Sequence, residues 1–176
     1  MYQAKDAGRN TVRFYDHSVQ ARLLEKAALE NELRLALHSD ALCLHYQPQV
    51  RADGSITGAE ALLRWKHPTR GYIAPGDFIP VAESAGLMDR LGTWVLHQSC
   101  QTLKAWAQLP QCRHLTLAVN VSAVQFSQPH FVDTVLGALS TLQGLAPQLK
   151  LELTESMLVT DMDDVIAKMT QLHHHG

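Results

Sequence analysis

The sequence predicts an α/β fold, a partial β/α barrel, on three observations. Segments of two-residue period alternate along the chain with segments of helical period, which implies βα units and a largely parallel sheet. The strand segments each carry one apolar face and one small or polar face. In an open doubly wound sheet, helices cover both faces and strands read as near-continuous apolar runs. A barrel instead packs its outer face on helices and turns the other inward, towards an active site at the C-terminal mouth. Finally, acids and an amide recur at the inward parity on three separate strands.

Residues 1–16, "MYQAKDAGRNTVRFYD", read as the end of a helix, a stop at Gly8 and the short strand "TVRFYD". Residues 18–38 lack Gly and Pro, and Leu29, Leu33 and Leu37 recur at i, i+4 and i+8, giving an amphipathic helix that joins this tail to the next domain. "ALCLHYQPQV" (41–50) alternates as a strand, and "GSITGAEALLRW" (54–65) forms a second strand entered through the turn signal "ADGS". "PGDFIPVAESAG" (75–86) is a short helix, with Asp77 as candidate N-cap and Gly86 as its stop. Residues 92–109 are helical, 114–122 a strand, 129–142 helical, 149–155 a strand and 161–175 helical.

Composition narrows the function classes. Of the 176 residues, 46% are hydrophobic and 18% charged, with a net charge of −2, so no basic run marks a DNA or RNA binder or a membrane-surface binder. No stretch is apolar for long enough to span a membrane, and the N-terminus lacks a signal-peptide core. Cys43, Cys100 and Cys112 are widely spaced without a C-x-x-C, as in reduced thiols of a cytoplasmic protein. A membrane-anchored parent stays compatible with this reading.

The chemistry concentrates in "AEALLRWKHP" (59–68). As a strand it places Glu60, Leu62 and Arg64 on one face and Ala61, Leu63 and Trp65 on the other. As a helix it would hold only an ordinary i, i+4 pair between Glu60 and Arg64. In "HLTLAVNVS" Asn120 opposes the leucine and valine face, and in "LKLELTE" Glu152 does the same. Glu60, Asn120 and Glu152 would then point inward together, a hard-oxygen set suited to Mg²⁺, Mn²⁺ or Ca²⁺ and poorly suited to zinc. Arg64 could hold a phosphate in bidentate fashion. The chemistry inferred is metal-assisted attack on a phosphate ester. The plainer alternative is a satisfied polar network inside a barrel.

These motifs resemble the EAL-domain cyclic-di-GMP phosphodiesterases. "EALLRW" (60–65) follows "YQPQV" (46–50), and the run at 67–96, "AVNVSAVQF" (118–126) and "LELTES" (151–156) are similar to that family's blocks in the family's order. Separately, residues 1–16 resemble the C-terminal end of a GGDEF, diguanylate-cyclase-type domain. The domains implied are 1–16 as a GGDEF remnant, 17–28 as a helical linker and 29–176 as the N-terminal portion of an EAL domain. The family fold is a TIM-like (β/α)8 barrel with one antiparallel strand. The resemblance implies Glu60, Asn120 and Glu152 as ligands of Mg²⁺ or Mn²⁺. It implies Glu155 as a second acid steadying an active-site loop, and Gln47, Leu62 and Arg64 as contacts to the dinucleotide. The implied reaction is metal-assisted hydrolysis of one phosphodiester bond of cyclic-di-GMP, giving pGpG.

The sequence also departs from the family. Its "DDFGTG" block is absent, and "DMDD" (161–164) reads as acids at a helix start. A β/α barrel needs ~250 residues, so the expectation is a barrel truncated after about four β/α units and inactive by itself. The alternative is a non-catalytic regulatory EAL domain that binds cyclic-di-GMP or a protein partner. Dimerisation through the domain is compatible with either. Among the other candidates, His173, His174 and His175 read as helix C-terminal complements, and His45 and His67 as packing or surface residues rather than zinc ligands. Cys43, Trp94 and Trp106 read as core. Phe78 and Pro80 shape the short helix at 75–86, and Gln125 and Phe126 support the Asn120 loop.

Overall fold

The computed structural model describes residues 17–153 and 162–176. The strand expected at 11–16, with the GGDEF-like tail, lies outside them. Helix α1 (His17–Ala36) leads into the antiparallel pair β1 (Leu42–Val50) and β2 (Ile56–His67). The turn between these strands is organised by Asp53, whose carboxylate accepts from Ser55 N at 2.9 Å and Ser55 Oγ at 2.6 Å. These two bonds hold the Asp53 carboxyl below its ordinary value, the side-chain bond contributing most.

A short hairpin strand, β3 (Gly71–Ile73), folds back on β2. The periodicity does not reveal it, because three residues are too few to show a period. Its turn is built on the buried His67, whose Nδ1 accepts the backbone N–H of Thr69 at 3.3 Å and of Arg70 at 3.2 Å. Acceptance at Nδ1 places the proton on Nε2, which lies 3.3 Å from Glu32 of α1. His67 is therefore the pivot of the hairpin.

Two helices come next, α2 (Pro75–Ser84) and α3 (Met88–Ala107). Asp77 does not cap α2. The N-cap is Ala74, with no side-chain cap bond, Pro75 supplies the first helical φ, and Asp77 sits in the first turn where a carboxylate favours the dipole. Gly86 does stop α2: its φ is +66°, and the bonds Leu87 N→Ala82 O and Gly86 N→Glu83 O form a Schellman closure. Helix α3 begins at Met88, ahead of the Gly92 expected to open it. Gly92 is an interior helical residue, kept for its lack of a side chain.

Then come β4 (Thr116–Val121), the single turn α4 (Ala123–Phe126), α5 (Phe131–Leu139), a 3₁₀ turn at Ala146–Gln148, β5 (Leu149–Leu153) and α6 (Met162–His173). The strand order is β1-β2-β4-β5, with β3 paired to β2; β2, β4 and β5 are parallel, and β1 and β3 both run antiparallel to β2. The resemblance implied one antiparallel strand; β1 answers to it, and the short β3 is a second.

All the helices that build the core pack on the sheet face carrying Ala61, Leu63, Trp65, Leu117, Val119 and Val121. One apolar cluster joins this face to α3 and α5 through Leu96, Leu103, Phe131 and Val135. The other joins it to α1, α2 and the start of α3 through Leu33, Phe78 and Leu91. Burying this face against helices provides most of the stabilisation, at roughly 25 cal/mol per Å² of apolar surface. Glu60, Leu62, Arg64, Asn120 and Glu152 belong to neither cluster. In a flat sheet β1 and β5 would lie three strand spacings apart, about 14 Å. Gln49 Nε2 on β1 nevertheless donates to Glu152 Oε1 on β5 at 3.4 Å. The sheet therefore curls into a half-barrel, with the polar face concave.

Candidate functional site

The register of the sheet brings the acids and amides together. Glu60 on β2 is paired with Gln47 of β1 on one side and with Ala118 of β4 on the other. Asn120, two residues beyond Ala118, is level with Glu152 on β5. Side chains two residues apart share a face, so all four polar groups stand on the concave surface. Asn120 Nδ2 donates to Glu60 Oε1 at 2.5 Å. That bond commits the nitrogen of the carboxamide and leaves Oδ1 of Asn120 open. Glu152 is half-buried and accepts from Gln49.

The expected strand geometry of 59–68 is therefore found, and the helix alternative is excluded. Leu62 is half-buried on the same face, opposite His45 of β1. Arg64 lies opposite Cys43; its Nη1 donates to the Leu63 carbonyl at 2.9 Å, and among the described residues its guanidinium pairs with no carboxylate. Gln47 is exposed, within β1 and opposite Glu60. Glu155 lies outside the described residues. Among the described residues no three His, Cys, Asp or Glu side chains converge as a metal cluster. The oxygen set that does form is two carboxylates and a carboxamide. Cys43, on this face, has no bond to a His–Asp pair among the described residues.

The β4 end of the site is braced. Ser122 caps α4, its Oγ accepting from Gln125 N at 3.2 Å. Lys168 of α6, only 11% exposed, donates to the Phe126 carbonyl at 2.9 Å, sits over the Phe126 ring, and pairs with Asp164 at 2.8 Å. The helix after the Glu152 strand is thereby tied to the turn after the Asn120 strand. Beside Arg64 and Asn120 a cleft of about 330 Å³ opens between β2, α2, α3 and α4. A groove of about 670 Å³ between α1, β3 and α2 contains none of these residues.

Sequence reasoning does not single out Gln49. A signal exists: in "YQPQV" Gln49 shares the parity of Gln47. Its partner, Glu152, is three strands away, however, and only curvature brings the two together.

A curled, mostly parallel sheet with helices outside and acids within is a β/α-barrel architecture, with its candidate site on the inner face. The chain belongs to the EAL-domain family, whose model matches residues 30–176. It is 42% identical over 177 residues to the bifunctional diguanylate cyclase/cyclic di-GMP phosphodiesterase MucR of Pseudomonas aeruginosa, covering all of this chain and 26% of that protein. It is 38% identical to the cyclic di-GMP phosphodiesterase NbdA of the same organism, again over the whole chain and 22% of NbdA. The solved MucR phosphodiesterase in complex with c-di-GMP superposes with a TM-score of 0.81 at 41% identity, covering 85% of this chain and 60% of that one. The chain thus spans about a quarter of the length of these two relatives. Among the described residues no helix is long and apolar enough to cross a membrane.

Proposed function

We propose that this chain carries half of the site of a cyclic-di-GMP phosphodiesterase, one that cuts the cyclic dinucleotide to pGpG. The observation that supports it most is the convergence of Glu60, Asn120 and Glu152 on one concave face. That face belongs to a family whose members MucR and NbdA are named as phosphodiesterases for this dinucleotide.

The donor set fits a hard divalent cation. Glu60 and Glu152 supply negative charge and Asn120 has an uncommitted oxygen, whereas the soft sulfur or imidazole ligands of a zinc site are missing from this constellation. When bound, Mg²⁺ or Mn²⁺ supplies Lewis-acid polarisation of a phosphoryl oxygen and a more acidic water. The residues of the chain do the rest. Arg64, free of carboxylate partners among the described residues, presents a guanidinium fork to a phosphate. Asn120 holds the Glu60 carboxylate in place. Gln49 orients Glu152 in the same way. Gln47 and Leu62 flank the ligand. Glu155 comes after the Glu152 strand in sequence, as the acid that steadies the next loop.

The sequence lacks the family's "DDFGTG" aspartate, so the 176-residue chain should show no appreciable turnover. Incubation with cyclic-di-GMP and Mn²⁺, with chromatography of products, tests this; efficient formation of pGpG contradicts it. In a protein that carries this chain together with the rest of the family domain, Glu60→Ala should abolish turnover. Persistent hydrolysis there would remove Glu60 from the site. Binding without hydrolysis in that longer protein would select the regulatory alternative.

A further inference from the structure

We infer that Gln125 is a specificity-determining residue of the same site, its carboxamide reading the polar edge of a flat heterocycle, a nucleobase, inserted beside Arg64. The inference rests on the function proposed above.

First, Gln125 is buried, only 4% exposed, and among the described residues its carboxamide has no hydrogen-bond partner. Only its backbone N–H is used, by Ser122. Its donor and acceptor are unused among the described residues and are not sealed off from the cleft they border.

Second, the fold makes room for this amide. A Cβ on Gly92 would collide with the amide atoms of Gln125, so the interior glycine of α3 is a notch that seats the carboxamide. A glycine inside a helix is itself unfavourable relative to alanine.

Third, the amide borders the cleft of about 330 Å³ beside Arg64 and Asn120, whose remaining lining is mostly apolar, including Leu63, Ile79, Met88 and Leu91. An apolar slot with a few convergent polar groups suits a planar ring whose faces are apolar and whose edge is not. Fourth, Arg64 on the same cleft offers a phosphate contact, so a ring and a phosphate of one nucleotide are served together.

An amide presents an adjacent donor and acceptor. It matches the lactam edge of a purine, with Oε1 accepting from the ring N–H and Nε2 donating to the exocyclic oxygen. Adenine has the opposite polarity at these two atoms. To meet it the amide must turn over within the Gly92 notch, against which both of its polar atoms lie.

The test compares two ligands that share the sugar–phosphate ring and differ in the base edge, cyclic-di-GMP and cyclic-di-AMP. Affinities are measured by calorimetry for the protein that carries this chain together with the rest of the family domain, unaltered and with Gln125→Met, with thermal melts to confirm folding. The unaltered protein should prefer the guanine dinucleotide. Gln125→Met should melt no lower, lose about tenfold in affinity for cyclic-di-GMP, the scale of one buried hydrogen bond, and lose the preference. A merely supporting glutamine would weaken both ligands alike or neither, and either result overturns the inference while leaving the proposed function standing. If the unaltered protein binds both dinucleotides without preference, the inference fails in the same way. If it binds neither, the proposed function fails and takes the inference with it. Should Gln125→Met fail to fold, Gln125→Glu, which keeps the shape and an acceptor but loses the donor, is measured in its place with the same expected loss of preference.

Discussion

Individual residues in this chain divide by what their surroundings allow them to do. Cys100 is enclosed by the α3 core, and burial pushes its thiol above the ordinary value of 9.0, with Lys104 opposing weakly. It should resist alkylation at pH 8 while Cys43 and Cys112, both half-buried, react; full labelling of three thiols should appear only on unfolding. Mass spectrometry after a timed pulse of iodoacetamide distinguishes these, and rapid labelling of Cys100 in the folded chain would contradict its burial. The folded state holds the Cys100 proton more tightly than the unfolded one, so stability falls as pH rises through 9.0 towards the folded value. Gly92 behaves differently. Gly92→Ala forces aside the Gln125 amide, a flexible side-chain end rather than backbone, so the stability loss should stay at about 1–3 kcal/mol in a denaturant melt. A loss well above that range would mean that the backbone, not the amide, yields.

At the scale of the element, the β2–β3 hairpin and the α2 closure each depend on one side chain or one φ. His67→Leu removes the acceptor of two turn amides, Thr69 N and Arg70 N, and should cost about 1–3 kcal/mol, read in the same melts. An unchanged midpoint would show that the turn closes without the ring. The long elements are legible in the sequence because each longer strand buries one face, which writes a period into the chain: Ala61 and Trp65 against Glu60 and Arg64, Leu117 and Val119 against Asn120. The sequence does not disclose β3, α4 or the true start of α3. β3 is held by His67 and by its register with β2, not by a period. α4 is one turn. Gly92 resembles a boundary because glycine disfavours helices locally, and the reason it is tolerated, the amide of Gln125, lies far along the sequence. Asp77 looks like a cap, yet Ala74 and Pro75 open α2 without a side-chain bond.

The whole molecule turns a parity into a site. Parity alone places Glu60, Asn120 and Glu152 on one face, and their likeness to the family's blocks is the ground on which a ligand is proposed for that face. Neither can show that Asn120 reaches Glu60, which depends on the parallel register of β2 and β4, or that Gln49 crosses the concavity to Glu152, which depends on sheet curl. Curl matters for the proposed site: in a flat sheet Gln49 would stand three strand spacings from Glu152 and could not orient it. Gln49→Leu should therefore leave the fold intact, since Gln49 lies outside both apolar clusters. It should weaken cation binding through a less ordered Glu152, by about 10- to 100-fold if Gln49 acts as an outer partner of a ligand. That the three inward residues form one divalent-cation site is best checked by electron paramagnetic resonance of Mn²⁺ titrated with the chain in the presence of cyclic-di-GMP. The signal of free Mn²⁺ should fall on adding the unaltered chain and persist with Glu60→Ala, Asn120→Ala or Glu152→Ala. Sequestration of Mn²⁺ as effective in Glu60→Ala as in the unaltered chain, or none in either, would contradict the shared site.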